Sequence, residues 1–237
     1  MLDDGSRSSR TSTSSSDSTG FGLLDDRIQR WIWAEGWTSL RDAQERAIPA
    51  LINADQDVII AAQTAAGKTE AAFLPILSHL LRDSNQTEAV LYVSPLKALI
   101  NDQWGRLTEL CEQLDINVTP WHGDISGTKK NKFLKDPKGI LLITPESLEA
   151  MFVNRGSAIS GLFAKLKYIV IDELHAFIGS ERGKQLQSLM HRIDLAIGRL
   201  RFYLLQRGFF IDETFIDAYD RFGCPVIIVF TVDLLVT

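Results

Sequence analysis

Cysteine is nearly missing from this 237-residue chain; Cys111 and Cys224 are the only two. They stand far apart and follow no metal-ligand spacing, so a reduced, cytoplasmic setting is the simplest expectation. Long apolar runs are missing too. No stretch reaches the length of a membrane span, and the opening Met1-Leu2-Asp3-Asp4 lacks the apolar centre of a secretory signal, so no membrane partner is expected. Positive charge is short: 25 Lys and Arg against 30 Asp and Glu leave a net charge of −5. That excludes a protein-wide basic field, and any contact with nucleic acid must be local. Apolar side chains are plentiful, at 45% hydrophobic residues, an ordinary content for a globular core. The length allows one domain or one and a half.

The stretch around which the chain is organised is residues 57–70. Val58 to Ala62 reads as a short buried strand. Small residues follow, then Gly67-Lys68-Thr69, then a helix carrying Ala71, Ala72, Phe73, Leu74, Ile76 and Leu77. Strand, small-residue loop and helix around A-x-x-x-x-G-K-T is the context of a phosphate-binding loop. Thr64, Ala65, Ala66 and Gly67 would let backbone N–H groups close on a phosphate, aided by the positive end of the helix dipole. Lys68 would reach the β- and γ-phosphates, and Thr69 would place its hydroxyl on Mg²⁺. Ala62 stands where the pattern usually has its first glycine, which tightens the loop without removing a donor. The alternative is an ordinary strand–helix turn with a surface lysine.

Residues 1–20 are mostly Ser, Thr, Asp, Gly and Arg and are expected to be a disordered leader. From Phe21 the composition changes. Leu23, Leu24, Ile28, Trp31 and Ile32 recur at helical spacing up to Gly36, and Ala43, Ala47, Ile48 and Leu51 mark a second helix. Gln44, 24 residues before Lys68, is either a surface helix residue or a reader of the adenine edge. Further strands are expected at 89–93, 116–121, 140–143 and 168–171. Ser94 is expected to cap a helix opening at Pro95, and Thr144-Pro145-Glu146 forms a strong helix start. Lys129, Lys130, Lys132 and Lys135 read as the solvated face of a short helix. A last amphipathic helix is expected over 183–199. Strands alternating with helices imply an α/β fold, with a mainly parallel sheet covered by helices on both faces.

Four apolar residues precede Asp172-Glu173, which places two carboxylates at the C-terminal end of a strand, where such sheets bind ligands. Asp172 would hold Mg²⁺, directly or through water. Glu173 would orient or deprotonate the water that attacks a γ-phosphate. Phe209-Phe210-Ile211-Asp212-Glu213 is a rival, but its apolar run is short and Gln206-Arg207-Gly208 breaks it.

Five stretches in order carry a family likeness: Gly67 to Phe73, Ser94 to Gln103, Trp121-His122-Gly123-Asp124, Thr144 to Leu148, and Ile171-Asp172-Glu173-Leu174-His175-Ala176-Phe177. Over residues 21–199 the chain resembles the first RecA-like lobe of superfamily two helicases of the DEAD/DEAH-box (DExH) kind, most closely the large helicase-related type. The resemblance implies a P-loop NTPase domain that uses ATP and Mg²⁺. It implies that Gln44 reads adenine with Trp37 or Phe21 stacking, although Leu40 stands where many relatives have proline. It places Ser94, Pro95, Lys97, Gly123, Thr144 and Pro145 on a single-stranded nucleic-acid track, with DNA favoured over RNA, and has His175 couple the nucleotide site to that track. As an alternative, His175 is a packed histidine at a helix start.

The family pattern is lost over residues 200–237. A Ser-Ala-Thr expected there is absent, and the apolar run from Val226 is either a strand of the sheet or an atypical, truncated tail. The resemblance also implies a second helicase lobe that supplies charge-stabilising arginines, worth about 10³ to 10⁵ in rate in related nucleotidases. The expected function is therefore the ATP-binding lobe of a helicase, weakly active by itself, with a second lobe in trans as a candidate partner. The alternative is a non-catalytic module that binds nucleic acid or a partner.

Overall fold

In the computed structural model, residues 19–52, 57–62, 66–82, 87–198 and 226–231 are described. The leader up to residue 18, Thr64 and Ala65 of the loop, the rival acidic pair and most of the tail lie outside them.

Among the described residues six strands form one sheet: β1 (Val58–Ala62), β2 (Ala89–Val93), β3 (Val118–Trp121), β4 (Gly139–Ile143), β5 (Leu166–Asp172) and β6 (Val226–Thr231). Their order is β1-β6-β5-β2-β4-β3, and every pairing is parallel. Parallel neighbours need a crossover, and crossover helices cover both faces of the sheet. The helices are α1 (Asp26–Ala34), α2 (Asp42–Ile52), α3 (Lys68–Arg82), α4 (Lys97–Glu112), α5 (Gly127–Lys135), α6 (Pro145–Arg155), α7 (Ile159–Leu162) and α8 (Glu181–Ala196).

Strand alternation divides the core in two. On one face Ile60, Val90, Tyr92, Ile140, Leu142 and Val170 pack with Ile28, Ile48, Phe73 and Leu107 of α1 to α4. On the other, Leu91, Val93, Leu141, Ile143, Ile169 and Ile171 pack with Phe133, Leu148, Leu162 and Leu189 of α5 to α8. β2 and β4 are buried at every position, which is why their sequences are unbroken apolar runs. α3 carries Pro75 in its interior, a break that costs about 3 kcal/mol in an exposed helix. Here Ala71 to Leu77 are all buried, and that packing outweighs the lost backbone bond.

Several boundaries follow the expected local chemistry. The Thr144 hydroxyl accepts from the Ser147 amide at the start of α6, with Pro145 in its first turn. The Asp25 carboxylate accepts from the Arg27 amide at the start of α1. Others differ. Ser94 does not cap α4, which opens at Lys97 without a side-chain cap. Its amide donates to Ile143 O at 3.1 Å, and Leu96 is still extended at φ −133° and ψ 141°, so the helix begins three residues after Ser94. β3 starts at Val118 rather than Ile116, because the Ile116 amide closes α4 on Cys111 O at 3.0 Å. α8 starts two residues earlier than expected, where the Ser180 hydroxyl accepts from the Gly183 amide. It ends at Ala196, with Ile197 and Gly198 bonded back to Ile193 and Leu195. Within the apolar run from Val226, the backbone of Val226–Thr231 occupies the slot between β1 and β5.

Candidate functional site

Because all six strands are parallel, their C-terminal ends share one edge of the sheet. β1 ends at Ala62 and β5 at Asp172, and only β6 lies between them. With strands about 4.8 Å apart, the two ends are separated by roughly 10 Å. The register agrees, since Ala62 pairs with Thr231 and Asp172 with Val229. The Lys68 ammonium donates to Ala62 O at 3.1 Å, and its charge acts on the Asp172 carboxylate. The lysine of the loop and the first acidic residue therefore lie on one edge, near enough for the charge of one to act on the other.

Gly67 leads into α3 with φ +77°, and a Cβ there would lie 2.5 Å from Gln44 Nε2. The backbone conformation favours glycine, and a larger residue would also have to displace the Gln44 amide. Gln44 is only 1% exposed, so the surface-residue alternative does not hold. Its Oε1 accepts from the Arg41 amide at 2.9 Å, and its Nε2 donates to Gly67 O at 3.5 Å. A primary amide has a second N–H and a second lone pair, so Gln44 braces the loop and keeps capacity for another partner. Of the two aromatics expected near it, Phe21 is buried edge-on to Trp33 at 5.6 Å, and Trp37 is half-buried edge-on to Trp31 at 5.6 Å. Ala66, Gly67, Lys68 and Thr69 are each half-buried, with Lys68 and Thr69 in the first turn of the 15-residue α3.

Asp172 is nearly buried, at 8% exposure. The Tyr92 hydroxyl donates to its Oδ2. Burial raises the Asp172 carboxyl above its ordinary range; the Tyr92 bond and Lys68 oppose that rise, and Glu173 adds to it. Tyr92 is itself pushed well above the ordinary phenol range, first by burial and then by the Asp172 charge. Tyr92 went unnoticed in the sequence, where it reads as one more apolar strand residue. Only the register exposes its role: Tyr92 pairs with Val170, so its side chain points to the same face as Asp172. Glu173 adopts the left-handed conformation, φ 50° and ψ 47°. A non-glycine residue there is uncommon and strained by about 1–3 kcal/mol, so the surrounding structure must hold it. His175 is half-exposed, with Nδ1 3.1 Å from Glu173 Oε2, which disfavours the packed-histidine alternative.

The donor set fits a phosphate with an attendant cation. A helix N-terminus, an ammonium, a hydroxyl and a buried carboxylate converge at this edge. Among the described residues no three His, Cys, Asp or Glu side chains cluster as a metal cage. A Mg²⁺ ion here would therefore take phosphate and water oxygens besides Thr69 and Asp172, its usual habit.

The other half of the edge is formed by the ends of β2, β4 and β3. Ser94, Pro95, Thr144 and Pro145 lie there and are buried. The Thr144 hydroxyl is used by the α6 cap. The exposed groups are Leu96, Lys97, Gly123 and Asp124. Lys97 Nζ lies 3.4 Å from Asp124 Oδ2, and a Cβ on Gly123 would stand 3.6 Å from that ammonium. His122 is buried beside them, its Nε2 2.9 Å from Asn101 Oδ1. Burial lowers its pKa, Asp124 opposes, and Lys97 and Lys130 assist. The α5 lysines are mostly exposed, as expected, with Lys129 4.1 Å over the Trp104 ring.

The DEAD/DEAH box helicase family model matches residues 41–205. The ATP-dependent helicase Lhr-Core of Saccharolobus solfataricus is 34% identical over 188 residues, covering 74% of this chain and 21% of that protein. The chain thus spans about a fifth of the length of the curated relatives it matches. The helicase MrfA, solved bound to DNA and AMPPNP, superposes with a TM-score of 0.69 at 26% identity, covering 90% of this chain and 27% of that one. The Mycobacterium smegmatis helicase Lhr, solved with ssDNA and AMP-PNP, superposes with a TM-score of 0.67 at 24% identity, covering 89% of this chain and 25% of that one. The mainly parallel sheet with helices on both faces is thus the RecA-like fold. Among the described residues no helix is long and apolar enough to cross a membrane.

Proposed function

The chain belongs to the DEAD/DEAH box helicase family, and from that premise we propose that it forms the ATP-binding lobe of a nucleic-acid helicase, coupling nucleotide state to its hold on a single strand. The observation that carries this reading is that Lys68 and Asp172 share one sheet edge, on strands separated only by β6 and with the charge of one acting on the other, beside a second set of loops on the same edge. The backbone amides at the start of α3 and the Lys68 ammonium would hold the phosphates. Thr69 and Asp172 would hold Mg²⁺, which when bound neutralises charge on the transferred phosphoryl group. Glu173 would orient the attacking water, Gln44 would read the adenine edge, and His175 would relay the state of Glu173 toward the strand face.

The strand itself would lie over the ends of β2, β4 and β3. The net charge of −5 fits a grip made by backbone amides and helix N-termini rather than by a basic surface. DNA is favoured as substrate, since MrfA is described bound to DNA. Translocation belongs to a longer motor with a second lobe, joined in the same chain or in trans.

The test is nucleotide binding and hydrolysis, with and without single-stranded DNA or RNA, by the chain and by Lys68→Ala. The substitution is expected to abolish binding of a fluorescent ATP analogue. Equal affinity in both proteins would refute the site.

A further inference from the structure

Arg182 is the second residue of α8 and reaches two loops at once. Its Nε donates to Glu146 Oε1 at 2.7 Å, and a terminal nitrogen donates to Pro95 O at 2.6 Å. The guanidinium lies 5.5 Å from the centre of the Phe177 ring. Pro95 follows β2 and Glu146 stands in the first turn of α6 after β4; β2 and β4 are neighbours in the sheet. The base of Arg182 is fixed in turn. Ala176 and Phe177 donate to Glu173 O and Leu174 O at 2.9 Å each, and Ser180 and Gly183 continue the run of bonded turns. At Gly183 a Cβ would overlap Phe177 O, so α8 is held against the segment that follows the acidic pair.

We propose that Arg182 is a positioning residue: it locks the Pro95 loop and the N-terminus of α6 into one strand-binding surface, fixed relative to Asp172 and Glu173. This rests on the strand-binding reading of that edge given above. The guanidinium suits the task because it forks to two acceptors in fixed geometry, which an ammonium does not. It also neutralises Glu146, whose carboxylate would otherwise repel phosphate at a helix N-terminus. Burial pushes the Glu146 carboxyl up, but the Arg182 bond and its other hydrogen bonds hold it below the ordinary range, so it stays ionised at neutral pH.

Arg182→Gln and Arg182→Lys in the full chain test this. Hydrogen exchange is read over residues 94–98 and 145–149, alongside fluorescence anisotropy with a labelled oligothymidylate and with a fluorescent ATP analogue. Arg182→Gln is expected to speed exchange in both segments and to weaken strand binding about five- to tenfold, with nucleotide affinity unchanged. Arg182→Lys should fall between, since it keeps one of the two partners; it carries the test if Arg182→Gln does not fold. Unchanged exchange in both segments, or an equal loss of nucleotide and strand affinity, would overturn the inference. If the unsubstituted chain binds no strand, the reading of the edge fails instead, and the exchange measurement, which needs no nucleic acid, separates the two results.

Discussion

Tyr92→Phe removes a single oxygen, and its consequences can be worked from the structure. The hydroxyl donates to Asp172 Oδ2 in a site where Tyr92 is 2% and Asp172 8% exposed. Water therefore replaces the lost donor poorly. A hydrogen bond to a charged group contributes about 1.5–3 kcal/mol, so the variant should lose roughly that much stability at neutral pH. The loss should depend on pH. The Tyr92 bond holds the Asp172 carboxyl below where burial alone would put it, so without the bond that carboxyl titrates higher still. The advantage of the native chain is complete while Asp172 is ionised in both proteins. It disappears as pH falls through the native Asp172 titration, where both proteins carry the proton. Urea midpoints of the two chains, measured from neutral pH downward, would show the gap closing on acidification. Binding of an Mg²⁺–nucleotide should likewise weaken in the variant and recover as pH rises, since the cation needs the ionised carboxylate. A stability difference that is absent, or constant across the series, would refute the claim that this hydroxyl tunes Asp172.

The other predictions concern the supports around the site. Gly183→Ala drives a Cβ into Phe177 O and should cost about 1–3 kcal/mol, as overpacking does; an unchanged thermal midpoint would contradict the close approach. His122, its pKa lowered chiefly by burial from the ordinary 6.5, takes up its proton less readily when folded than when unfolded. Stability should therefore fall as pH drops below 6.5, and urea midpoints of His122→Gln should show a shallower decline over the same range; parallel declines would refute that assignment.

Much of this protein is legible in local chemistry. The Thr144-Pro145-Glu146 helix start needs only a few neighbours along the chain to act, so its sequence declares it. The apolar runs of β2 and β4 declare strands covered on both faces, because only such strands have no polar side. What the tertiary structure alone decided is which distant groups meet. Gln44 reads equally as a helix-surface residue or an adenine reader until α2 packs against the loop and buries it. Tyr92 reads as core until the β2–β5 register turns it toward Asp172. Arg182 carries no signal in the sequence, and only α8 brings it between Pro95 and Glu146. Ser94 reads as a helix cap until Leu96, still extended, delays α4 to Lys97. Sequence determines periodicity, capping and turn geometry, since those interactions close over a few residues. Strand order and register bring together residues far apart in the chain, and their pairing is set by how two faces of one sheet are buried at once.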